Sequence, residues 1–192
     1  MKAFKAYDIR GVYNRDFNAE DVYKIGFFLP RLLEADKVLV GRDVRSSTEE
    51  IFEALCRGVN DAGADVYDMG LATTPMVYFG TAHFNFDASV QITASHNPKE
   101  YNGLKVSRTG ALPVGYYSGL ADLEKLISTD KVEPVEKTGT IVPIDVKNPY
   151  IEFMKQYVPQ DLSSLDMSVD CSNGMAALVI KDLLGEEPHY LF

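Results

Sequence analysis

Between residues 22 and 33 the apolar positions Val22, Ile25, Leu29, Leu32 and Leu33 fall on one helical face. Pro30 sits inside that pattern, where its ring meets the carbonyl of Gly26, so a kink or an early stop is expected there. Lys37-Val38-Leu39-Val40-Gly41 is short, apolar and β-branched, the pattern of a buried strand. Ser46-Ser47-Thr48-Glu49 then reads as a capping box, a serine oxygen accepting an early helix amide while Glu49 reaches back. Ile51, Leu55, Val59 and Ala62 continue that helix's apolar face to a stop at Gly63. Residues 64–69 form a second strand pattern, Thr74-Pro75 an N-cap with proline at the first helical position, and residues 87–92 a third strand. Strands alternating with helices predict an α/β fold, a layered sheet of mainly parallel strands flanked by helices. Ligand sites in such sheets gather beyond the carboxyl ends of strands, where the segments after Gly41 and Ile92 fall.

The character changes after Ile92. Tyr101-Asn102-Gly103-Leu104 carries the Asn-Gly signal of a type I′ hairpin turn, which would fold Leu104-Lys105-Val106 back beside the preceding residues. Leu120, Leu123, Leu126 and Ile127 predict another helix, residues 128–147 an irregular connection, and Asn148-Pro149 the cap of a helix carrying Ile151, Met154, Tyr157 and Val158. Pro159-Gln160-Asp161 marks the expected domain boundary. Residues 1–158 are then one domain, and residues 159–192 the incomplete start of a second α/β domain, a strand–helix–strand unit from Met167 to the apolar stretch at residues 189–192. That tail is smaller than the ~40 residues that usually fold alone, and it stops on an apolar strand. A longer parent protein is therefore expected, and the open strand is a site for self-association.

Composition narrows the function classes. The 192 residues are 46% hydrophobic with a formal charge of −9 at pH 7, so a nucleic-acid binder with a broad basic surface is excluded. The same acidity opposes a phosphorylated ligand unless a few cations are focused in one cleft or a metal assists. Cys56 and Cys171 stand far apart without a CxxC or Cys/His cluster, which argues against disulfides and zinc and for reduced thiols. The N-terminus Met1-Lys2-Ala3-Phe4-Lys5 opens no signal-peptide core, and no run approaches the ~18 apolar residues of a membrane span. A cytoplasmic protein with no membrane partner is expected.

The candidate chemistry centres on Ser95. It follows a strand, is flanked by small Ala94 and by Thr93, and is joined by His96 and Asn97 before Pro98 stiffens the exit. A serine that accepts a phosphoryl group needs its proton removed and the incoming charge neutralised. His96 or Lys105 can meet the first need, and Lys105, Arg10 or a metal the second. On spacing alone a surface turn explains Ser-His-Asn-Pro as well or better.

Several segments resemble a known family. Ser89-Val90-Gln91-Ile92-Thr93-Ala94-Ser95-His96-Asn97-Pro98 looks like the active-site signature of the α-D-phosphohexomutases. Phe4-Lys5-Ala6-Tyr7-Asp8-Ile9-Arg10-Gly11 is similar to the N-terminal motif of their phosphomannomutase/phosphoglucomutase branch. Gly41-Arg42-Asp43-Val44-Arg45, Tyr101-Asn102-Gly103-Leu104-Lys105 and Asp170-Cys171-Ser172-Asn173-Gly174 match further segments in order. The resemblance implies the first of four domains around a cleft, with Ser95 phosphorylated at rest. Ser95 would donate to a hexose monophosphate, mannose or glucose, through a bisphosphorylated intermediate. It also implies Mg2+ on the phosphate of Ser95 as a hard cation among oxygens. Lys105 is then the general acid/base, with His96 the alternative or an orienting group, and Arg10 and Tyr7 bind substrate phosphate. The sequence lacks the Asp-Gly-Asp-x-Asp segment with which the family holds magnesium, so the chain alone is expected to be inactive. A sugar-phosphate binding or interaction module that keeps the fold without the chemistry is the rival reading.

Other residues carry weaker signals. Arg42 and Arg45 either face phosphate or are salt-bridged; His83 and the aromatics of residues 76–86 read as structural, and His189 carries no functional signal. The 170–174 segment reads as a strand-to-helix turn before an anion site.

Overall fold

Asn18 commits the chain to its first helix. Its side chain accepts the Asp21 amide at 3.1 Å while the Asp21 carboxylate accepts the Asn18 amide at 3.0 Å, a reciprocal cap. This capping appears in a computed structural model that describes residues 1–159 and 161–191. Strand β1 (Ile9–Val12) precedes the cap and helix α1 (Ala19–Leu33) follows it. The helix runs through Pro30 to Leu33 rather than stopping early. Proline in the last turn forfeits one backbone bond, its ring is buried beside Leu29, and its carbonyl takes the amides of Glu34 and Ala35 beyond the helix end.

Strand β2 (Lys37–Arg42) leads to α2 (Thr48–Asp61), whose expected capping box does not form. The Ser47 hydroxyl accepts from Asn102 Nδ2 at 3.0 Å, the Thr48 hydroxyl donates to Asp43 at 3.0 Å, and Glu49 pairs with Arg42 at 3.1 Å. Partners from across the fold displace the local cap. Gly63, at φ +94°, follows the end of α2 in the left-handed region. Then come β3 (Asp65–Leu71), α3 (Thr74–His83) and β4 (Ala88–Ile92). The cap of α3 is Thr73, one residue earlier than expected, with its oxygen 3.4 Å from the Met76 amide.

Strand β5 (Tyr101–Arg108) overturns the Asn-Gly turn. Asn102 is fully buried within the strand, and residues 93–100 make the reversal instead. Gly103 is required for close approach: a Cβ there would stand 2.2 Å from the Ile9 carbonyl of β1. Short β6 (Leu112–Pro113), α4 (Leu120–Thr129) and β7 (Ile141–Pro143) complete this part. Strand β7 lies inside the stretch expected to be irregular. Its three residues are all exposed, too short for a burial pattern, and Asp65 anchors its start by accepting the Thr140 amide at 2.7 Å and hydroxyl at 2.8 Å.

The sheet runs β1-β5-β4-β2-β3-β7, with β6 on β5. Strands β4, β2, β3 and β7 are parallel neighbours, and β5 is antiparallel to both β4 and β1. On one face α1, α2 and α4 share a core with Val38, Val40, Val66, Val90, Ile92 and Leu104. Helix α3 supplies buried Met76 and Val77, and Val77 lies against Gly41 of β2. The result is the expected helix–sheet–helix layering, mainly parallel, with its antiparallel strands at one side.

The chain divides into two compact units, Met1–Ile144 and from Asp145 onward, earlier than the 158/159 division expected from sequence, whose Gln160 lies outside the described residues. The second unit holds α5 (Lys147–Lys155), β8 (Ser168–Asp170), α6 (Ile180–Leu184) and β9 (His189–Leu191). Asp145, not Asn148, supplies the side chain at the start of α5, accepting the Asn148 amide at 3.1 Å. Tyr157 and Val158 lie beyond the end of α5. Strands β8 and β9 pair in parallel, as a strand–helix–strand unit requires; Phe192 lies outside the described residues. The single helix expected between them is broken at Val179 into a 3-10 turn (Met175–Leu178) and α6. Among the described residues no helix is long and apolar enough to cross a membrane.

Candidate active site

Strand β4 is buried throughout, and the chain emerges from it at Ser95. The Thr93 amide bonds the Gly103 carbonyl at 3.0 Å, continuing the pairing with β5 past the strand end. Ser95 then adopts φ +57°, left-handed and unusual for a residue with a side chain. Its amide donates to the Thr93 hydroxyl at 2.9 Å. Its own hydroxyl points outward and lies 3.3 Å from His96 Nδ1, both residues being exposed. Asn97 closes the turn, its amide and side-chain Nδ2 donating to the Ala94 carbonyl at 3.1 and 2.9 Å. An accessible serine with an imidazole beside it is the arrangement a phosphoryl acceptor needs.

Tyr7, Arg10 and Lys105 come together in a second place. With Lys5, Ala6 and Asp8 they line an open cleft of about 390 Å³. Residue parity explains the meeting. Arg10 pairs with Gly103 and Lys105 with Gln91, so Arg10 and Lys105 project from the same face of neighbouring strands. Asp8, 4% exposed, lies between the two cations. It accepts from Lys105 Nζ at 3.2 Å and from Arg10 Nη2, while Arg10 Nε is buried without a hydrogen-bond partner among the described residues. Burial, with the Asp8 charge adding to it, raises the Tyr78 phenol above its ordinary value. Tyr7 is 84% exposed at the rim. Three cations against one carboxylate make this lining net positive in a chain of charge −9, which meets the need for focused cations.

Ser95 and His96 do not line that cleft. The two clusters adjoin through Gly103, which pairs with Arg10 and carries the carbonyl that holds Thr93. Arg42 and Arg45 are both salt-bridged: Arg42 to Asp68 at 2.6 Å and to Glu49, with its guanidinium 3.9 Å from the Phe52 ring centre, and Arg45 to Asp43 at 3.3 Å. His83 stacks on Phe79, ring centres 4.7 Å apart, in keeping with a structural role. The 170–174 segment is a turn with Ser172 and Asn173 at positive φ, leading into one 3-10 turn. Among the described residues no group of three or more His, Cys, Asp or Glu side chains is placed to hold a metal ion. The sequence pattern gave no role to Asp8, Asp43 or Thr93, and gave Asn102 only a turn. The i, i+2 spacing of Asp8 and Arg10 was a usable signal for the first; the others meet only through the fold.

Residues 1–129 match the family described as Phosphoglucomutase/phosphomannomutase, alpha/beta/alpha domain I. A phosphomannomutase of Escherichia coli is 39% identical over 189 residues, which are 95% of this chain and 41% of that protein. A phosphomannomutase of Klebsiella pneumoniae is 40% identical over 154 residues, 79% of this chain and 98% of that sequence. In structure the chain resembles a phosphoglucomutase/phosphomannomutase family protein of Burkholderia thailandensis. The TM-score is 0.84 at 33% identity, covering 100% of this chain and 44% of the other. The chain thus spans about two fifths of the length of the Escherichia coli relative.

Proposed function

The chain belongs to the phosphoglucomutase/phosphomannomutase family, and from that premise we propose that it is the phosphoryl-carrying part of a mutase that interconverts hexose 1-phosphate and 6-phosphate. The observation that carries this reading is the exposed Ser95 hydroxyl, set on a left-handed turn 3.3 Å from His96 Nδ1 and one strand away from a cationic cleft. Phosphoserine at position 95 donates to the free hydroxyl of a mannose or glucose monophosphate. The Ser95 Oγ–P bond breaks as the sugar O–P bond forms; the sugar hydroxyl proton leaves to a base, and the Ser95 oxygen takes up a proton to become the hydroxyl again. When the bisphosphate turns over and returns its other phosphate, the same steps run backwards.

Membership of the family supports a role for each residue of the two clusters. Lys105 is the general acid/base, with His96 orienting the serine or its phosphate. Arg10 and Tyr7 hold the phosphate that is not in transfer, Arg10 through a guanidinium suited to phosphate oxygens. Asp8 keeps the two cations together. Magnesium would neutralise charge on the moving phosphoryl group when bound. The phosphate of Ser95 would be its ligand from this chain; among the described residues no group of three or more His, Cys, Asp or Glu side chains is placed to hold it.

Two measurements test the reading. Peptide mapping of the protein isolated from cells should place phosphate on Ser95; phosphate confined to other residues would contradict it. The purified 192-residue chain should show no steady conversion of mannose 1-phosphate or glucose 1-phosphate, because its sequence lacks the Asp-Gly-Asp-x-Asp segment. Sustained turnover would overturn that part.

A further inference from the structure

Arg45 lies outside the cationic cleft, yet three backbone carbonyls of the Ser95 loop and that of Tyr101, where β5 begins, converge on it. Nη2 donates to the carbonyls of Ser95 at 2.9 Å and Asn97 at 2.7 Å, and Nη1 to those of Pro98 at 2.7 Å and Tyr101 at 2.9 Å. Nε faces Asp43 Oδ2 at 3.3 Å. A guanidinium has five N–H donors in a fixed planar fork, and here all three nitrogens are committed. None is left to bind a phosphate.

The anchor is itself held. Asp43 is 6% exposed; its Oδ1 accepts the Arg45 amide at 3.1 Å and the Thr48 hydroxyl at 3.0 Å. Its Oδ2 accepts the Thr93 hydroxyl at 2.7 Å, and the Thr93 oxygen accepts the Ser95 amide at 2.9 Å. Ser95 is therefore gripped on both sides, its N–H through Thr93 and its C=O through Arg45, with Asp43 joining the two arms. A left-handed backbone is strained for a residue with a Cβ, so Ser95 keeps that conformation only where its surroundings impose it.

We propose that Arg45, oriented by Asp43, is the positioning residue of Ser95: it fixes the left-handed turn that presents the hydroxyl, and binds no phosphate itself. The role of Ser95 as phosphoryl carrier is taken from the reading above; the proposal adds what holds it in place. A lysine at position 45 would keep the charge beside Asp43 but could not span four carbonyls from one nitrogen. Geometry and charge are thereby separable.

Hydrogen exchange followed by NMR on the 192-residue chain tests this. In Arg45→Gln and Arg45→Lys alike, the amides of Ser95, Asn97 and Tyr101 should exchange about tenfold faster or more, those of Val38, Val40 and Val90 staying as in the wild type. In Thr93→Val the Ser95 amide alone should lose protection, and this milder variant decides the matter if Arg45→Gln does not fold. The proposal is overturned if Arg45→Lys protects the loop as arginine does, if core and loop loosen together, or if Thr93→Val leaves the Ser95 amide unchanged. Phosphate plays no part in the readout. A Ser95 that never takes phosphate would sink the functional reading and leave this result standing.

Discussion

Cys56, on α2, is 1% exposed, and burial pushes its thiol up to about 12 from a usual 9.0. A thiol whose folded value is raised contributes stability that is complete below its unfolded value and is lost as pH climbs through the folded one. In native protein at pH 8, a thiol reagent should therefore modify half-buried Cys171 and spare Cys56 until denaturant is added. Rapid modification of both thiols in the native state would contradict this. Legibility at this scale was uneven. Ser95, His96, Arg10, Tyr7 and Lys105 were all named from motifs. The left-handed backbone of Ser95 was not, because serine has no intrinsic preference for it; it is held by Thr93 two residues before it together with Arg45, which is 50 residues away in sequence.

Helices α1 and α2 meet through glycines. A Cβ on Gly58 would stand 2.2 Å from the Tyr23 carbonyl, and one on Gly26 2.4 Å from the Leu55 carbonyl. Backbone cannot yield as a side chain can, so Gly58→Ala should cost about 1–3 kcal/mol or more; an unchanged denaturation midpoint would show that the helices can separate freely. At the other edge, the hydrogen bonds from the Thr140 amide and hydroxyl hold the Asp65 carboxyl below its usual 3.8. A depressed carboxyl stabilises above its unfolded value and loses that contribution as pH falls through the folded one. Strand β7 should loosen at a pH below about 4, read as a shift of the Thr140 amide resonance, and Asp65→Asn should remove that acid transition. Most helices and the buried strands were legible from apolar spacing. Strands β1 and β7 were not: β1 alternates in burial over only four residues, β7 is three exposed residues, and the Asn-Gly signal misled because a buried strand pairing outweighed a local turn preference.

Across the molecule, the layered sheet brings two separately legible groups to one region. The strand order places β5 between β4 and β1, so the loop after β4 and the cations of β1 and β5 adjoin. That order follows from pairing, and composition alone gave only its consequence, the need to focus a few cations within a chain of charge −9. The central claim is that this region carries phosphoryl groups on Ser95. The most direct measurement is mass mapping of the protein isolated from cells, beside its Ser95→Ala variant isolated in the same way. One phosphate should sit on Ser95 and be missing from Ser95→Ala. Phosphate at other positions alone, or equal phosphate in Ser95→Ala, would contradict the account.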